Sequence, residues 1–128
     1  MSIAAHVTGV QHVGVPTNHL ETTIRFYESL GFTVRLRTGT AQEPVAFLEL
    51  ENLTIETYQN GKAAGQPGAI DHIALDVDDI DAAYAEVRAL GYAALEGAVQ
   101  SLPFWKHGVK FFTIAGPNAE KVEFSQKL

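Results

Sequence analysis

The amino-acid sequence predicts an α+β fold made of two βαβββ modules. The first observation is an internal repeat, in which Ile70 to Tyr92 aligns without a gap on Val10 to Phe32 at an offset of 60 residues. The second is the hydrophobic pattern of each copy, which has the period of a strand, then of a helix, then of strands again. Two copies are too few for a solenoid, so they indicate a duplicated module with a pseudo-two-fold axis.

The chain is expected to form a single domain over residues 1–128, a length that allows a sizeable core. The first module spans about residues 9–59 and the second about 70–126. Between them, residues 60–69 (NGKAAGQPGA) are small, polar and rich in Gly and Pro, as is typical of a linker.

Composition narrows the class of function. A net charge of −6 argues against nucleic acid or an anionic membrane surface as a partner, since both require a basic patch. No apolar run approaches the roughly 18 residues of a membrane span, and the N-terminus lacks the features of a secretory signal, which favours a cytoplasmic location. Without cysteine there is neither a disulfide framework nor a thiolate ligand.

The first module opens with a strand predicted over Gly9–Val15. Successive side chains of a strand point to opposite faces, so His12 faces away from Val13 and Val15. The valines are expected to pack against the following helix, which leaves the imidazole on the open face. Pro16 ends the strand.

The first helix is predicted to start at a cap formed by Thr17 or Asn18 and to end at Gly31. Its apolar stripe comprises Leu20, Ile24, Tyr27 and Leu30. Three strands follow, over Phe32–Thr38, Val45–Leu50 and Leu53–Gln59.

The second module repeats this order. Its first strand is predicted over Ile70–Val77, and Asp78 or Asp79 caps a helix that ends at Gly91. The helix stripe comprises Ile80, Tyr84, Val87 and Leu90. The remaining strands are predicted over Tyr92–Glu96, Gly108–Ile114 and Lys121–Gln126, with a loop over Gly97–His107 between the first two.

Each module contributes one histidine on its first strand and one glutamate on its last. Strand parity puts His12, Glu56, His72 and Glu123 opposite the helix-packing residues, so a curved mixed sheet would present all four around one metal site. Two neutral imidazoles and two carboxylates balance the charge of a divalent cation, and this nitrogen and oxygen set suits Zn²⁺, Ni²⁺, Fe²⁺ or Mn²⁺. The remaining histidines, His6, His19 and His107, have no partner in the other copy.

At these residues the chain resembles the vicinal oxygen chelate superfamily, which includes glyoxalase I, extradiol dioxygenases and bleomycin-resistance proteins. The resemblance covers roughly Val10 to Gln126. Its motifs are the HVGV strand, the FYxxLGF helix end, IETY, DHIALDV and GPNAEKVEF.

Within that superfamily, the set His12, Glu56, His72 and Glu123 is most similar to that of glyoxalase I-like proteins. This resemblance implies a lyase that binds a divalent metal and acts on a hemithioacetal, with Glu56 and Glu123 as catalytic carboxylates. It also implies that Asn60 contacts the thiol cofactor. Pro16 stands where glyoxalases generally carry an arginine that grips glutathione, so the identity of the thiol is left open.

Of the two carboxylates, the resemblance implies that Glu123 is the one that shuttles the proton. The loop with Leu102, Phe104 and Trp105 is a candidate pocket wall beside it, although these aromatics could equally close the core. The resemblance further implies a homodimer whose metal sites take one pair of ligands from each chain. The alternatives are an extradiol-type dioxygenase and a non-catalytic small-molecule-binding or resistance protein of the same superfamily.

Overall fold

The structure is a computed structural model that describes residues 2–128, and it confirms an α+β fold of two βαβββ modules. A short 3-10 helix over Ile3–Ala5 precedes the first module. The elements of the first module are β1 Val13–Pro16, α1 Leu20–Ser29, β2 Thr33–Gly39, β3 Pro44–Leu50 and β4 Leu53–Tyr58. Those of the second are β5 His72–Asp76, α2 Ile80–Ala89, β6 Gln100–Leu102, β7 Val109–Ala115 and β8 Lys121–Lys127.

The strands form two four-stranded mixed sheets, with the orders β1-β4-β3-β2 and β5-β8-β7-β6. In each sheet the first and last strands of the module pair in parallel, and the other neighbours are antiparallel. The register repeats as well: Gly14 pairs with Glu56, and its counterpart Ala74 pairs with Glu123. The duplication visible in the sequence is therefore preserved in the backbone pairing.

The start of each helix is tied to the last strand of its own module by a glutamine. The side-chain oxygen of Gln59 accepts from the backbone N–H of Leu20 (3.0 Å), and that of Gln126 accepts from Ile80 (2.8 Å). Asp79 caps α2 as predicted, by accepting from the N–H of Ala82. These bonds satisfy N–H groups that the first turn of a helix leaves without an intrahelical partner.

The start of α1 differs from the prediction. Its N-cap is His19, not Thr17 or Asn18, and the His19 side chain makes no capping bond. Thr17 acts one step earlier, since its hydroxyl accepts from the N–H of His19 (2.9 Å). Both helices end as predicted, before glycines with positive φ at Gly31 and Gly91.

One hydrophobic cluster extends through both modules. The modules also meet through polar contacts of α1. The Tyr27 hydroxyl donates to Glu120 (2.9 Å), and the Asn118 amide donates to Thr23 (2.9 Å). Tyr27 is only 1% exposed, and its burial, together with the neighbouring Glu120 carboxylate, raises the pKa of the phenol.

Two predictions in the second module are wrong. The strand expected over Tyr92–Glu96 is absent, and the short strand β6 lies later, within the predicted loop. The Glu96 carboxylate accepts a hydrogen bond from the backbone N–H of Thr113 (2.8 Å), and the N–H of Gly97 donates to the carbonyl of Ala94. No regular strand ladder therefore forms there. Leu90, expected in the packed stripe, lies at the C-cap of α2 and is 48% exposed.

No helix in the described residues 2–128 combines the length and apolar character needed to cross a membrane.

Candidate metal centre and active site

The first candidate pair lies on the open face of the first sheet. His12 immediately precedes β1, two residues before Gly14, and therefore points to the same side as Glu56, the ladder partner of Gly14. Its Nε2 atom lies 3.6 Å from Glu56 Oε1. Phe47, next to Glu56 across the sheet, packs edge-on against the imidazole with ring centroids 5.7 Å apart.

The second pair repeats this arrangement. His72 begins β5, two residues before Ala74, and Ala74 pairs with Glu123 on β8. The distance from His72 Nε2 to Glu123 Oε1 is 3.9 Å. In both modules the same ring nitrogen thus faces the glutamate of the same ladder position.

The second ring nitrogen of each histidine contacts the residue that precedes it in the chain. His12 Nδ1 lies 2.9 Å from Gln11 Oε1, and His72 Nδ1 lies 3.0 Å from Asp71 Oδ2. Because amide and carboxylate oxygens only accept, the neutral tautomer that makes these two contacts as hydrogen bonds has its proton on Nδ1 and its lone pair on Nε2. This is the arrangement that orients a metal-ligating histidine.

The partners of Nδ1 differ in charge. Asp71 is also bonded by the Lys121 amine (3.1 Å), and its contacts with His72 and then Lys121 lower the pKa of the Asp71 carboxyl. The equivalent partner of His12 is the neutral side chain of Gln11.

A family model described as Glyoxalase/Bleomycin resistance protein/Dioxygenase superfamily matches residues 9–124, a range that includes all four of these side chains. The chain belongs to this superfamily. It is also 31% identical over 126 residues to the protein YwbC of Bacillus subtilis (strain 168), covering 92% of this chain and 97% of that protein.

Solved structures of superfamily members share the fold. A glyoxalase family protein from Enterococcus faecalis superposes with a TM-score of 0.79 at 20% identity, covering 94% of this chain and 98% of that one. The lactoylglutathione lyase of Agrobacterium tumefaciens gives 0.71 at 16% identity, covering 94% of both chains. The fosfomycin resistance protein FosX of Listeria monocytogenes, solved with Mn(II) and sulfate, also gives 0.71 at 16% identity, covering 95% and 94%.

The donor chemistry of this superfamily member fits a divalent metal, but one chain does not gather all four residues. Each module brings a histidine and a glutamate together, with Nε2 of the imidazole facing the carboxylate. Within residues 2–128, however, no cluster of three or more histidine and acidic side chains could hold one ion. In a single chain the structure thus brings the residues of each pair together, and it does not bring the set of four together.

Asn60 follows Glu56 by four residues in the chain. The two residues line the same small cavity beside Glu43 and Tyr58. The Asn60 side-chain oxygen accepts from the backbone N–H of Lys62 (3.0 Å), so part of its hydrogen-bonding capacity stabilises the turn that follows β4.

The aromatic loop of the second module does not close the core. Leu102, Phe104 and Trp105 are 38%, 57% and 66% exposed, and all three line a large cavity together with His72 and Glu123. Of the two interpretations of this loop, the structure supports the pocket wall.

Sequence reasoning missed the residues that surround the pairs. Gln11 and Asp71 were overlooked although they align on one another in the internal repeat. Lys127, which also lines the large cavity, was overlooked although it stands four residues after Glu123, as Asn60 stands four after Glu56. In each case the repeat itself contained the signal.

Proposed function

We propose that the chain is a metal-dependent lyase or isomerase of the glyoxalase I type, which moves a proton within an α-hydroxycarbonyl substrate such as a hemithioacetal. The observation that supports this proposal best is the duplicated His–Glu pair, with the same ladder register and the same ring nitrogen facing the carboxylate in both modules. Membership of the superfamily and the full set of two histidines and two glutamates agree with it.

In this proposal His12, Glu56, His72 and Glu123 hold the ion, either Zn²⁺ or Ni²⁺, with Fe²⁺ or Mn²⁺ as further possibilities. Since one chain presents two separate pairs, the complete site would combine the first-module pair of one chain with the second-module pair of a second copy. The proposed active form is therefore a homodimer with two shared sites.

A bound divalent ion would supply Lewis-acid stabilisation of the negative charge that develops on adjacent substrate oxygens. The chain supplies the proton transfer: Glu123 accepts the proton of the α carbon on a carboxylate oxygen and returns it to the neighbouring carbon. Glu123 suits this role better than Glu56, because it lines the large cavity with the aromatic loop and its side chain is less exposed, at 20% against 28%. Glu56 then serves mainly to hold the ion.

Pro16, the last residue of β1, is relevant to the identity of the thiol in the proposed hemithioacetal substrate. It has no cationic group to bind a carboxylate of glutathione, so other thiols belong in the substrate search.

The proposal is tested by metal analysis of the purified protein combined with turnover assays on hemithioacetals of several thiols. About one divalent ion per chain and isomerisation of at least one hemithioacetal are expected. Iron with catechol cleavage would favour an extradiol dioxygenase instead, and the absence of any stoichiometric metal would favour a non-catalytic binding protein.

Sharing of the site is tested by mixing His12→Ala and His72→Ala chains. A mixed dimer would contain one intact site of two, and random exchange of an equimolar mixture makes about half of the dimers mixed. Activity and metal binding should therefore recover to about a quarter of the wild-type value in the mixture, or to about half in the isolated mixed dimer. No recovery after exchange verified by mass spectrometry would contradict a shared site.

A further inference from the structure

A large, open cavity of about 960 Å³ lies on the open face of the second sheet. His72 and Glu123 lie at one part of it, and apolar side chains from β6, β7 and the loop between them form a wall. The wall comprises Leu102, Phe104, Trp105, Val109 and Phe111. Three of these side chains, Leu102, Phe104 and Trp105, are exposed, and large apolar side chains exposed in a concave surface are typical of a small-molecule site.

Trp105 is held in an unusual conformation. Its φ of 64° lies in the left-handed region, which a bulky L-residue rarely adopts. The ring lies under the Lys127 amine, with the nitrogen 3.8 Å from the ring centroid, a cation–π contact. The loop thus holds its most exposed ring against the one lysine among the described residues that line the cavity.

Strand β8 sets the geometry of the cavity. Glu123, Ser125 and Lys127 alternate along it, so all three point to the open face. At about 3.3 Å per residue, Glu123 and Lys127 are about 13 Å apart along the strand. The cavity therefore has a carboxylate and imidazole at one end, aromatic rings beside it and a cation at the other.

We propose that this cavity selects a substrate with three parts: paired oxygens at His72 and Glu123, a flat apolar group against Phe104 and Trp105, and an anionic group that pairs with Lys127. This inference rests on the proposed function for the first part only. The second and third parts follow from the aromatic wall and the position of Lys127.

The charges around the cavity favour this orientation. Asp76 and Asp78 line the β5 side and repel an anion there, whereas Lys127 lies on the side of the aromatic loop. The first module has no equivalent: Asn60 stands at the position of Lys127 and Pro16 at that of Asp76. The proposed selection of a substrate with a flat ring and an anionic group therefore concerns the second module alone.

The inference is tested by binding of 4-(hydroxyacetyl)benzoate, which joins an α-hydroxyketone, a flat ring and a carboxylate. Its methyl ester lacks the charge, and 7-hydroxy-6-oxoheptanoate lacks the ring. Trp105 is the only tryptophan of the chain, so its fluorescence reports binding at the wall directly. Each ligand is titrated with and without Mn²⁺.

The benzoate is expected to bind about tenfold more tightly than either analogue, the gain of one charge-assisted bond or of ring burial. Lys127→Met should weaken the benzoate about tenfold without affecting the ester, and Lys127→Arg should retain the preference. Lys110→Met is the matched control, because Lys110 lies on the neighbouring strand and does not line the cavity.

Equal affinity for the three ligands, or equal effects of Lys127→Met and Lys110→Met, would overturn the inference even if Mn²⁺ strengthens binding. If Mn²⁺ does not change the affinities, while the benzoate still binds more tightly than its analogues and loses this preference in Lys127→Met, the inference stands and the proposed metal chemistry fails.

Discussion

The first-module pair, His12 and Glu56, and the second-module pair, His72 and Glu123, occupy equivalent ladder positions, yet their surroundings differ. Phe47 packs on the first imidazole, and a neutral amide holds its Nδ1. The second imidazole is held by the charged Asp71 and opens into the large cavity. The duplication thus fixed where the two pairs stand, and later divergence of neighbouring side chains gave them different environments. We expect the two pairs to differ in role.

The largest expected effect distinguishes the two glutamates. Glu123→Gln should lower kcat by about 10²–10⁴, the contribution of a general base, while much of the metal is retained. Glu56→Gln should act mainly through weaker metal affinity, and excess metal should partly restore its turnover. Steady-state kinetics over a metal titration measures both. If Glu56→Gln stays inactive at saturating metal while Glu123→Gln turns over normally, the roles are reversed.

A second prediction concerns substitutions of Asp71 and Gln11, the residues that contact Nδ1 of the two histidines. Asp71→Asn gives the second pair the neutral partner of the first, and should weaken Zn²⁺ affinity about tenfold, the lower end of the usual effect of such partners. Gln11→Glu gives the first pair a charged partner and should strengthen affinity. A competing chelator measures both values without any need for turnover.

Asp81→Asn, an exposed change in the first turn of α2, is the control for a simple loss of negative charge. Equal affinities in Asp71→Asn and Asp81→Asn would mean that Asp71 does not position His72 for the metal.

The sequence was sufficient for those parts of this comparison that depend on local pattern. The parity of β1 and β5 placed both histidines on the open face, and the repeat assigned the glutamates their matching positions. The prediction from sequence was wrong where a side chain takes the place of a backbone acceptor. The backbone N–H of Thr113 donates to the Glu96 carboxylate, and the strand expected over Tyr92–Glu96 does not form. The arrangement of one module relative to the other could not be predicted from local pattern, because contacts between residues distant in sequence, such as Tyr27 with Glu120, join the modules.

The third prediction concerns Tyr27, whose counterpart in the repeat is Val87. Tyr27→Phe removes the buried hydroxyl that donates to Glu120, whose other donors come from Asn118, and should lower the free energy of unfolding by about 1–2 kcal/mol at neutral pH. The pKa of Tyr27 is raised in the folded protein, so its stabilising effect is complete below the ordinary value near 10 and is lost as the pH rises above it. Urea unfolding from pH 7 upward measures the trend.

The variant should therefore lose less stability than the wild type above about pH 10. Tyr84→Phe is the control, because the Tyr84 hydroxyl makes only a long bond to the Gly97 carbonyl (3.3 Å) at an exposed position. If both variants show the same alkaline behaviour as the wild type, Tyr27 does not titrate as a buried phenol in contact with Glu120.

The smallest expected effect tests whether the two modules are alike where their structures are alike. Gln59→Ala and Gln126→Ala each remove the acceptor of the first helical N–H, and the two bonds have similar lengths, 3.0 and 2.8 Å. Each variant should lose about 1 kcal/mol of unfolding free energy, the usual cost of a lost helix-terminal hydrogen bond. Gln100→Ala is the control, since its amide donates only to the nearby Ala98 carbonyl at an exposed site, and the change should stay within about 0.5 kcal/mol. Equal losses in urea unfolding would show that the duplication still sets the energetics of both helix starts. A loss confined to one module would mean that divergence has reached the framework as well as the pairs, because the same bond in the same register would then depend on its neighbours.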